Sequence, residues 1–187
     1  DRSREIFLIR SDGTGLRQLT SANWSSLYPR ISANGAVVVY SQHNGVYWDV
    51  FKVNADGTGS VQLTNLGNSV GQSIDDAGTW ITFKSWGNLD GTAPNGTLLI
   101  WRIRSDGTNL QRVSTDTSTS VYDESDISGS GDRVVYVSNA NPAGTNPSRR
   151  FEIFLWDATT QLTRQLTFSP SEYVLPPAIS GDGNFVF

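Results

Sequence analysis

A pair of short motifs returns four times along this 187-residue chain, and a recurring unit restricts the fold more than any composition does. In the first motif, Asp12-Gly13-Thr14 leads to Leu19-Thr20 and Asp56-Gly57-Thr58 to Leu63-Thr64. Asp106-Gly107-Thr108 leads to Val113-Ser114, and Asp157-Ala158-Thr159 to Leu166-Thr167. The second motif follows each time, as Ser32-Ala33-Asn34-Gly35, Asp75-Asp76-Ala77-Gly78, Ser128-Gly129-Ser130-Gly131 and Ser180-Gly181-Asp182-Gly183. The period is about 43 to 53 residues. Two motifs at matched offsets put one supersecondary unit into each period.

The local chemistry is that of strands. Residues 5–10, 49–54, 98–104 and 151–156 are rich in β-branched and aromatic side chains. Each run ends in a tight turn, where glycine accepts positive φ and aspartate bonds its own backbone. The Ser-x-x-Gly motif reads as a second hairpin turn. No segment shows an apolar period of 3.6 residues over helical length. Each unit therefore holds four short strands, such as 27–32, 36–41, 49–54 and 60–64. The expected class is all-β, a β-propeller of four-stranded antiparallel blades. A β-sandwich does not account for two turns recurring at fixed offsets.

The blade boundaries expected are a half-blade at 1–20, whole blades at 23–66, 67–117 and 119–168, and a half-blade at 173–187, within one domain. The chain opens at Asp1 and contains no Met, which reads as a processed product or a piece of something longer. A half-blade exposes an unpaired strand edge. The favoured expectation is a head-to-tail homodimer of eight blades, residues near Glu5–Arg10 of one copy pairing with those near Asn184–Phe187 of the other. Closure as a four-bladed ring within one chain, and a fragment of a longer propeller, remain alternatives.

The pattern I-x-x-I/V-x-x-D-G-T-x-x-x-x-L-T, followed by a proline-containing strand and S-x-x-G-x-x-V-x-Y/F, resembles the repeats of TolB-type propellers, a branch near the WD-repeat propellers. The departures are Asp157-Ala158 in place of Asp-Gly, and variants of Pro-Asp-Gly in the second motif such as Ala33-Asn34-Gly35. The resemblance implies protein–protein contact in a periplasmic or extracellular setting.

Composition narrows the chemistry. There are 14 basic and 18 acidic residues, a net charge of −4, which argues against broad binding to nucleic acid. No uninterrupted apolar run approaches the roughly 20 residues of a membrane helix, so no membrane insertion is expected. Cysteine is absent and His43 is the single histidine, which removes thiolate chemistry and multi-histidine metal sites. No G-x-S-x-G elbow or P-loop is present. Neither a cofactor, a metal nor an enzymatic activity is expected.

In such a blade the two motif turns share one face. The opposite face carries the longer, variable loops 42–48, 86–96 and 139–150, where function concentrates. Trp24, Tyr28, Tyr47, Trp48, Trp86, Tyr122 and Tyr173 map to that face or near it. Such rings anchor a peptide or stack on a sugar when they are not packing between blades. Trp80, Trp101 and Trp156 fall mid-strand and read as packing. Asp123 and Glu124 cluster with Asp126, with Asp116 and Glu172 as neighbours. Paired carboxylates suit ligand contact, calcium binding or acid–base work, but the spacing lacks the ligand set of a calcium loop, and the competing reading is a solvated acidic rim or a partner for Arg30. Asp90-Gly91 reads as a plain turn, and Arg149-Arg150 as a grip for an anionic group.

The expected function is a non-catalytic binding and assembly scaffold for a protein, peptide or glycan. The alternative is a piece of a larger propeller-containing enzyme, a peptidase gating domain or a carbohydrate-active enzyme, with no activity of its own.

Overall fold

The computed structural model describes residues 3–65, 67–94, 96–115, 122–142, 144–169 and 175–187, with Tyr122 and Asp123 through their backbone alone. Among these residues the regular structure is entirely β. A two-stranded sheet joins β1 (Phe7–Leu8) to β2 (Arg17–Gln18). Three four-stranded antiparallel sheets follow, each in sequential strand order. The first holds β3 (Ser26–Ile31), β4 (Val37–His43), β5 (Trp48–Asn54) and β6 (Val61–Gln62). The second holds β7 (Ser69–Ile74), β8 (Trp80–Ser85), β9 (Leu99–Arg104) and β10 (Gln111–Arg112). The third holds β11 (Tyr122–Ile127), β12 (Arg133–Ser138), β13 (Glu152–Asp157) and β14 (Leu162–Gln165). A bridge between Ile179 and Val186 starts a further pair. This is the blade architecture that the repeats imply, seen as part of a propeller.

Strand alternation builds the core between sheets rather than within them. Val39 and Val50 of the first sheet join Ile81, Phe83 and Trp101 of the second and Val134, Tyr136, Phe154 and Trp156 of the third in one buried apolar cluster. Trp101 and Trp156 are fully enclosed, as mid-strand positions should be. At one end Ile6 and Leu19 pack on Val38, Tyr40, Phe51 and Val53. At the other, Ile179 and Val186 pack on Val135, Leu155 and Leu166. Each end pair thus rests on its own neighbouring sheet, leaving Phe7, Ile9, Phe185 and Phe187 more than half exposed.

The turn motifs do two physical jobs. In Asp12, Asp56 and Asp106 one carboxylate oxygen accepts from both the N–H and the hydroxyl of the threonine two residues on, at 2.6–2.9 Å. These exposed carboxyls consequently titrate below the ordinary range. The second motif links neighbours: Asn34 N–H donates to Asp76 O (3.1 Å), Asp76 N–H to Gly129 O (3.1 Å) and Gly129 N–H to Gly181 O (2.8 Å). A backbone belt therefore runs from sheet to sheet along the turn face.

The fourth Asp-x-Thr turn is a correction. Arg133 pairs with Asp157 as Val37 pairs with Asn54, so Asp157 ends a strand two positions before the aspartate of the other turns. Without a glycine to open the turn, Asp157 accepts from Thr159 N–H and Thr160 N–H, and Gln161 takes the left-handed φ of 58°. The loop keeps the four-residue length of the other blades, but regular pairing reaches the turn, and β14 is two residues longer than β6 or β10.

The Leu-Thr ending is a clasp. Thr64 Oγ1 accepts from Val50 N–H (2.9 Å) and donates to Asp49 Oδ1 (3.0 Å). Thr20 with Glu5, and Thr167 with Glu152, repeat the arrangement. Each acid also receives a backbone N–H from the connection to the next sheet: Ala22, Gly67 or Ser169. In the second sheet Ser114 still accepts from Ile100 N–H (2.9 Å), but Leu99 stands where the acid would be.

Candidate functional site

The first strand of each four-stranded sheet carries the same irregularity. Pairing slips by one residue between Leu27 and Arg30, between Val70 and Ser73, and between Tyr122 and Ser125. A bulge of this kind re-aims the extra side chain. The residues so placed are Tyr28, Gly71 and Glu124, and Tyr28 and Gly71 adopt positive φ of 56° and 67°. The equivalent of Tyr28 in the last pair is Pro176. All four line one cavity of about 330 Å³, together with Arg30, Ser73 and Asp126. Because four first strands converge on it, this cavity marks the inner, axial edge of the sheets.

Hydrogen bonds fix its wall. Asp126 accepts from Ser73 Oγ (2.6 Å) and from Ile179 N–H (3.0 Å), tying β7, β11 and the last segment together. Buried Gln72 accepts from Ser41 Oγ (2.8 Å) and donates to the carbonyl of Tyr28, which holds the first bulge in place. Arg30 and Glu124 project into the cavity as exposed groups of opposite sign. An adjoining cavity of about 300 Å³ shares Tyr28, Gly71 and Glu124, and adds Trp48, Val70 and Lys84. The Lys84 stem crosses Gly71, where a Cβ would lie 3.2 Å from Cε.

On the rim, Trp24 stands edge-on to His43 at 5.7 Å between centroids, and His43 lies 5.1 Å from Trp48. Asp49, buried beside them, accepts from Asn44 Nδ2 (3.1 Å) and Gln62 Nε2 (3.3 Å) as well as from Thr64. Burial pushes its carboxyl above the ordinary range, against the pull of these donors.

The structure brings Tyr28, Trp48 and Glu124 together at the axial cavities. Trp24 and Tyr47 sit on the neighbouring rim, about half exposed. Trp86 follows β8 on the same face as Asn68, whose carbonyl accepts from Trp86 N–H (3.4 Å). Tyr122 and Asp123 lie in β11, and their side chains fall outside the described residues, as do Tyr173, Asp116 and Glu172 entirely. Asp90 is the turn it reads as, accepting from Thr92. Arg150 donates to Ser169 O (3.3 Å), so it serves the loop. Gln72, Ser73 and Lys84 escape sequence reasoning; Gly71, a lone glycine inside a strand, is the one signal that marks a bulge there.

No protein-family model matches the chain. It is 29% identical over 136 residues to the uncharacterized protein Atu1656 of Agrobacterium fabrum, covering 71% of this chain and 42% of that one. Its fold superposes on TolB from Acinetobacter baumannii with a TM-score of 0.68 at 16% identity, covering 96% of this chain and 41% of that one. Against a putative TolB from Agrobacterium tumefaciens the TM-score is 0.65 at 26% identity, covering 98% and 64%. An oligogalacturonate lyase in complex with manganese superposes at 0.66 with 18% identity, covering 98% and 52%. The chain thus spans less than two thirds of the length of each of these proteins.

Proposed function

We propose that this chain, an arc of a TolB-like β-propeller, is a non-catalytic scaffold that binds a protein, peptide or glycan at its axial mouth and loop rim. The observation that carries the reading is the bulge repeated in three sheets, which delivers Tyr28, Gly71 and Glu124 to one cavity mouth beside Trp48, Lys84 and Arg30. Aromatic faces flanked by both signs of charge anchor and orient a ligand. The carboxylate most enclosed there, Asp126, is committed to Ser73 and Ile179, and His43 is held between two tryptophans. Both serve structure in this reading. The resemblance to TolB supports an extracytoplasmic setting.

The reading includes completion of the ring by a second copy. Phe185 and Phe187 occupy the positions of Val37 and Val39 in the first sheet, the latter fully buried against its neighbour, yet they are 66% and 78% exposed. Extending the repeat register sets Val186 opposite Ile9 of the partner copy, as Val38 faces Val53. Sedimentation equilibrium tests this. A dimeric mass is expected, and a monomeric mass overturns the dimer.

The binding reading is tested by selecting ligands from a displayed heptapeptide library and a glycan array. Tyr28→Gly, which also relieves the positive φ, and Glu124→Ala are expected to weaken a selected ligand about tenfold with the melting temperature retained. Unchanged affinity moves the site elsewhere, and failure to select any ligand overturns the reading. Similarity to the lyase favours a second reading, a part of a carbohydrate-active enzyme. Turnover of a glycan abolished by Glu124→Gln would establish that one instead.

A further inference from the structure

Three consecutive loop-face segments around the first sheet carry no charged side chain: 21–28, 41–48 and 65–72. With 17% of the chain charged, three eight-residue segments would hold about four such residues. The corresponding parts of the other sheets do hold them, as Asp90, Glu124, Arg149 and Arg150. The deficit is therefore local to this rim. What replaces charge is asparagine, serine, glutamine and aromatic rings, with Asn23, Asn65 and Asn68 all exposed.

The rings are held with part of their surface open. A Cβ on Gly45 would lie 3.0 Å from Cζ2 of Trp24, and one on Gly67 would lie 3.2 Å from Cγ of Tyr47. Each ring thus rests on a glycine backbone at φ 97°, yet Trp24 remains 51% and Tyr47 48% exposed. The hairpin between them is stiff. Asn44 Oδ1 accepts from Val46 N–H (3.0 Å) and Tyr47 N–H (2.8 Å), while Asn44 Nδ2 donates to buried Asp49 (3.1 Å). Both neighbouring strands, β4 and β5, are paired on each side, so no free sheet edge is offered to a peptide.

We propose that this rim is a binding ledge for a neutral oligosaccharide, whose sugar rings lie on Trp24 and Tyr47 and whose hydroxyls meet the amides around them. It rests on the scaffold reading above and names the ligand class for one part of that face. Fixed ring faces supply apolar contact at little ordering cost, and uncharged amides match hydroxyls without demanding a counter-charge. The three segments offer a charged ligand no partner of their own; Arg4, Glu5 and Lys84 border them at Ser25, Ala22 and Gly71. An acidic sugar belongs to Arg30 and Lys84 in the axial cavities instead.

The test uses the full chain with cellohexaose, mannohexaose and chitohexaose, and with hexagalacturonate and a polyproline decapeptide as contrasts. Calorimetry and tryptophan emission are read at low and high salt. At least one neutral oligosaccharide is expected to bind, with affinity independent of salt and a change in emission. Trp24→Ala with Tyr47→Ala should weaken it about tenfold or more, and Trp24→Phe should lose less. Circular dichroism confirms that each variant is folded. Binding that survives the double substitution overturns the ledge, as does binding of the decapeptide alone. Salt-sensitive binding of hexagalacturonate alone also overturns it, while leaving the scaffold reading in place. If no probe binds and the ligand selections also fail, both readings fall.

Discussion

The seam between the first and second sheets and the seam between the second and third do the same job with different chemistry. At the first, Val39 and Val50 join Ile81, Phe83 and Trp101 in the apolar cluster, all at zero exposure. At the second, where Val134, Tyr136 and Phe154 continue that cluster, a charge is added: the guanidinium of Arg102 lies 3.8 Å from the centre of the Trp80 ring and 4.9 Å from that of Trp156. It donates to Gly131 O and to Gln111 Oε1 (2.7 and 3.2 Å) and is almost wholly buried. Burial lowers its pKa, opposed by the charges of Asp132 and Asp75. The repeat thus fixes where sheets meet and leaves the means open. An apolar seam tolerates any filling of the right volume. A charged one prescribes two ring faces, a carbonyl and an amide.

The largest effects should come from emptying either seam. Phe83→Ala and Trp156→Ala each remove a large, fully enclosed ring, and each should cost about 3–5 kcal/mol in chemical denaturation. The apolar seam separates from the charged one in repair. Phe83→Leu should recover most of the loss, whereas Trp156→Leu leaves Arg102 with one ring instead of two and should recover less. Equal recovery would break the comparison.

Arg102 sharpens it at the next level. Arg102→Ala leaves Gly131 O and Gln111 without their donor, at about 1–3 kcal/mol for each buried group left unpaired. Arg102→Met restores volume between the rings without the burden of a desolvated charge. Replacing a buried charge with a fitted apolar group is often nearly neutral. Met should therefore lie well above Ala in stability. If Met and Ala match, the hydrogen bonds dominate the seam; if Met matches the parent, the arginine adds specificity of fit alone.

How much of this is legible in the sequence depends on the range of the interaction. The period and the turns are local, so aspartate, glycine and threonine announce them directly. Asp157 misleads because its neighbours copy the motif while its pairing with Arg133 places it two positions early. Leu-Thr stands out as a marker, but its role needs an acid fifteen residues back, as in Thr64 and Asp49. Tyr28, Trp48 and Glu124 are found as loop-face residues, yet their common cavity depends on a bulge that Gly71 alone hints at. Arg102 resembles any strand arginine until two tryptophans from different sheets close around it.

The turn belt repeats the contrast between seams on a smaller scale. Crossing the first seam, Asn34 adds a side-chain bond to Ala77 O (3.0 Å) beside its backbone bond. Crossing the second, Gly129 contributes backbone only, and there is no room for more: a Cβ there would lie 2.3 Å from Asp76 Oδ2 and 2.8 Å from Gly181 O. Gly129→Ala should cost about 1–3 kcal/mol through forced displacement. Asn34→Ala removes one exposed hydrogen bond and should cost about 1 kcal/mol or less. A harmless Gly129→Ala would show that the belt yields.

The clasps give the most selective test. Asp49 receives Gly67 N–H and so fastens the connection that crosses the first seam, while Leu99 deprives the second seam of any such acid. Thr64→Val removes a donor to a buried carboxylate and should cost about 1–3 kcal/mol; Ser114→Ala, with no acid to strand, should cost about 0.5–1.5 kcal/mol. The pH dependence separates clasp from turn within one sheet. Asp49 is raised in the folded state by burial, so the folded chain takes up its proton before the unfolded chain does. Its contribution to stability is present at low pH and is lost as pH rises through its folded value. Asp56 is lowered by Thr58, so its contribution is present above the ordinary carboxyl range and is lost as pH falls through its folded value. Carboxyl carbon NMR titration should place Asp49 above the ordinary range and Asp56 below it. In Thr64→Val, which removes a donor to the charged form, Asp49 should move higher still while Asp56 stays put. A downward shift of Asp49 in that variant would mean that the clasp does not act through the carboxylate.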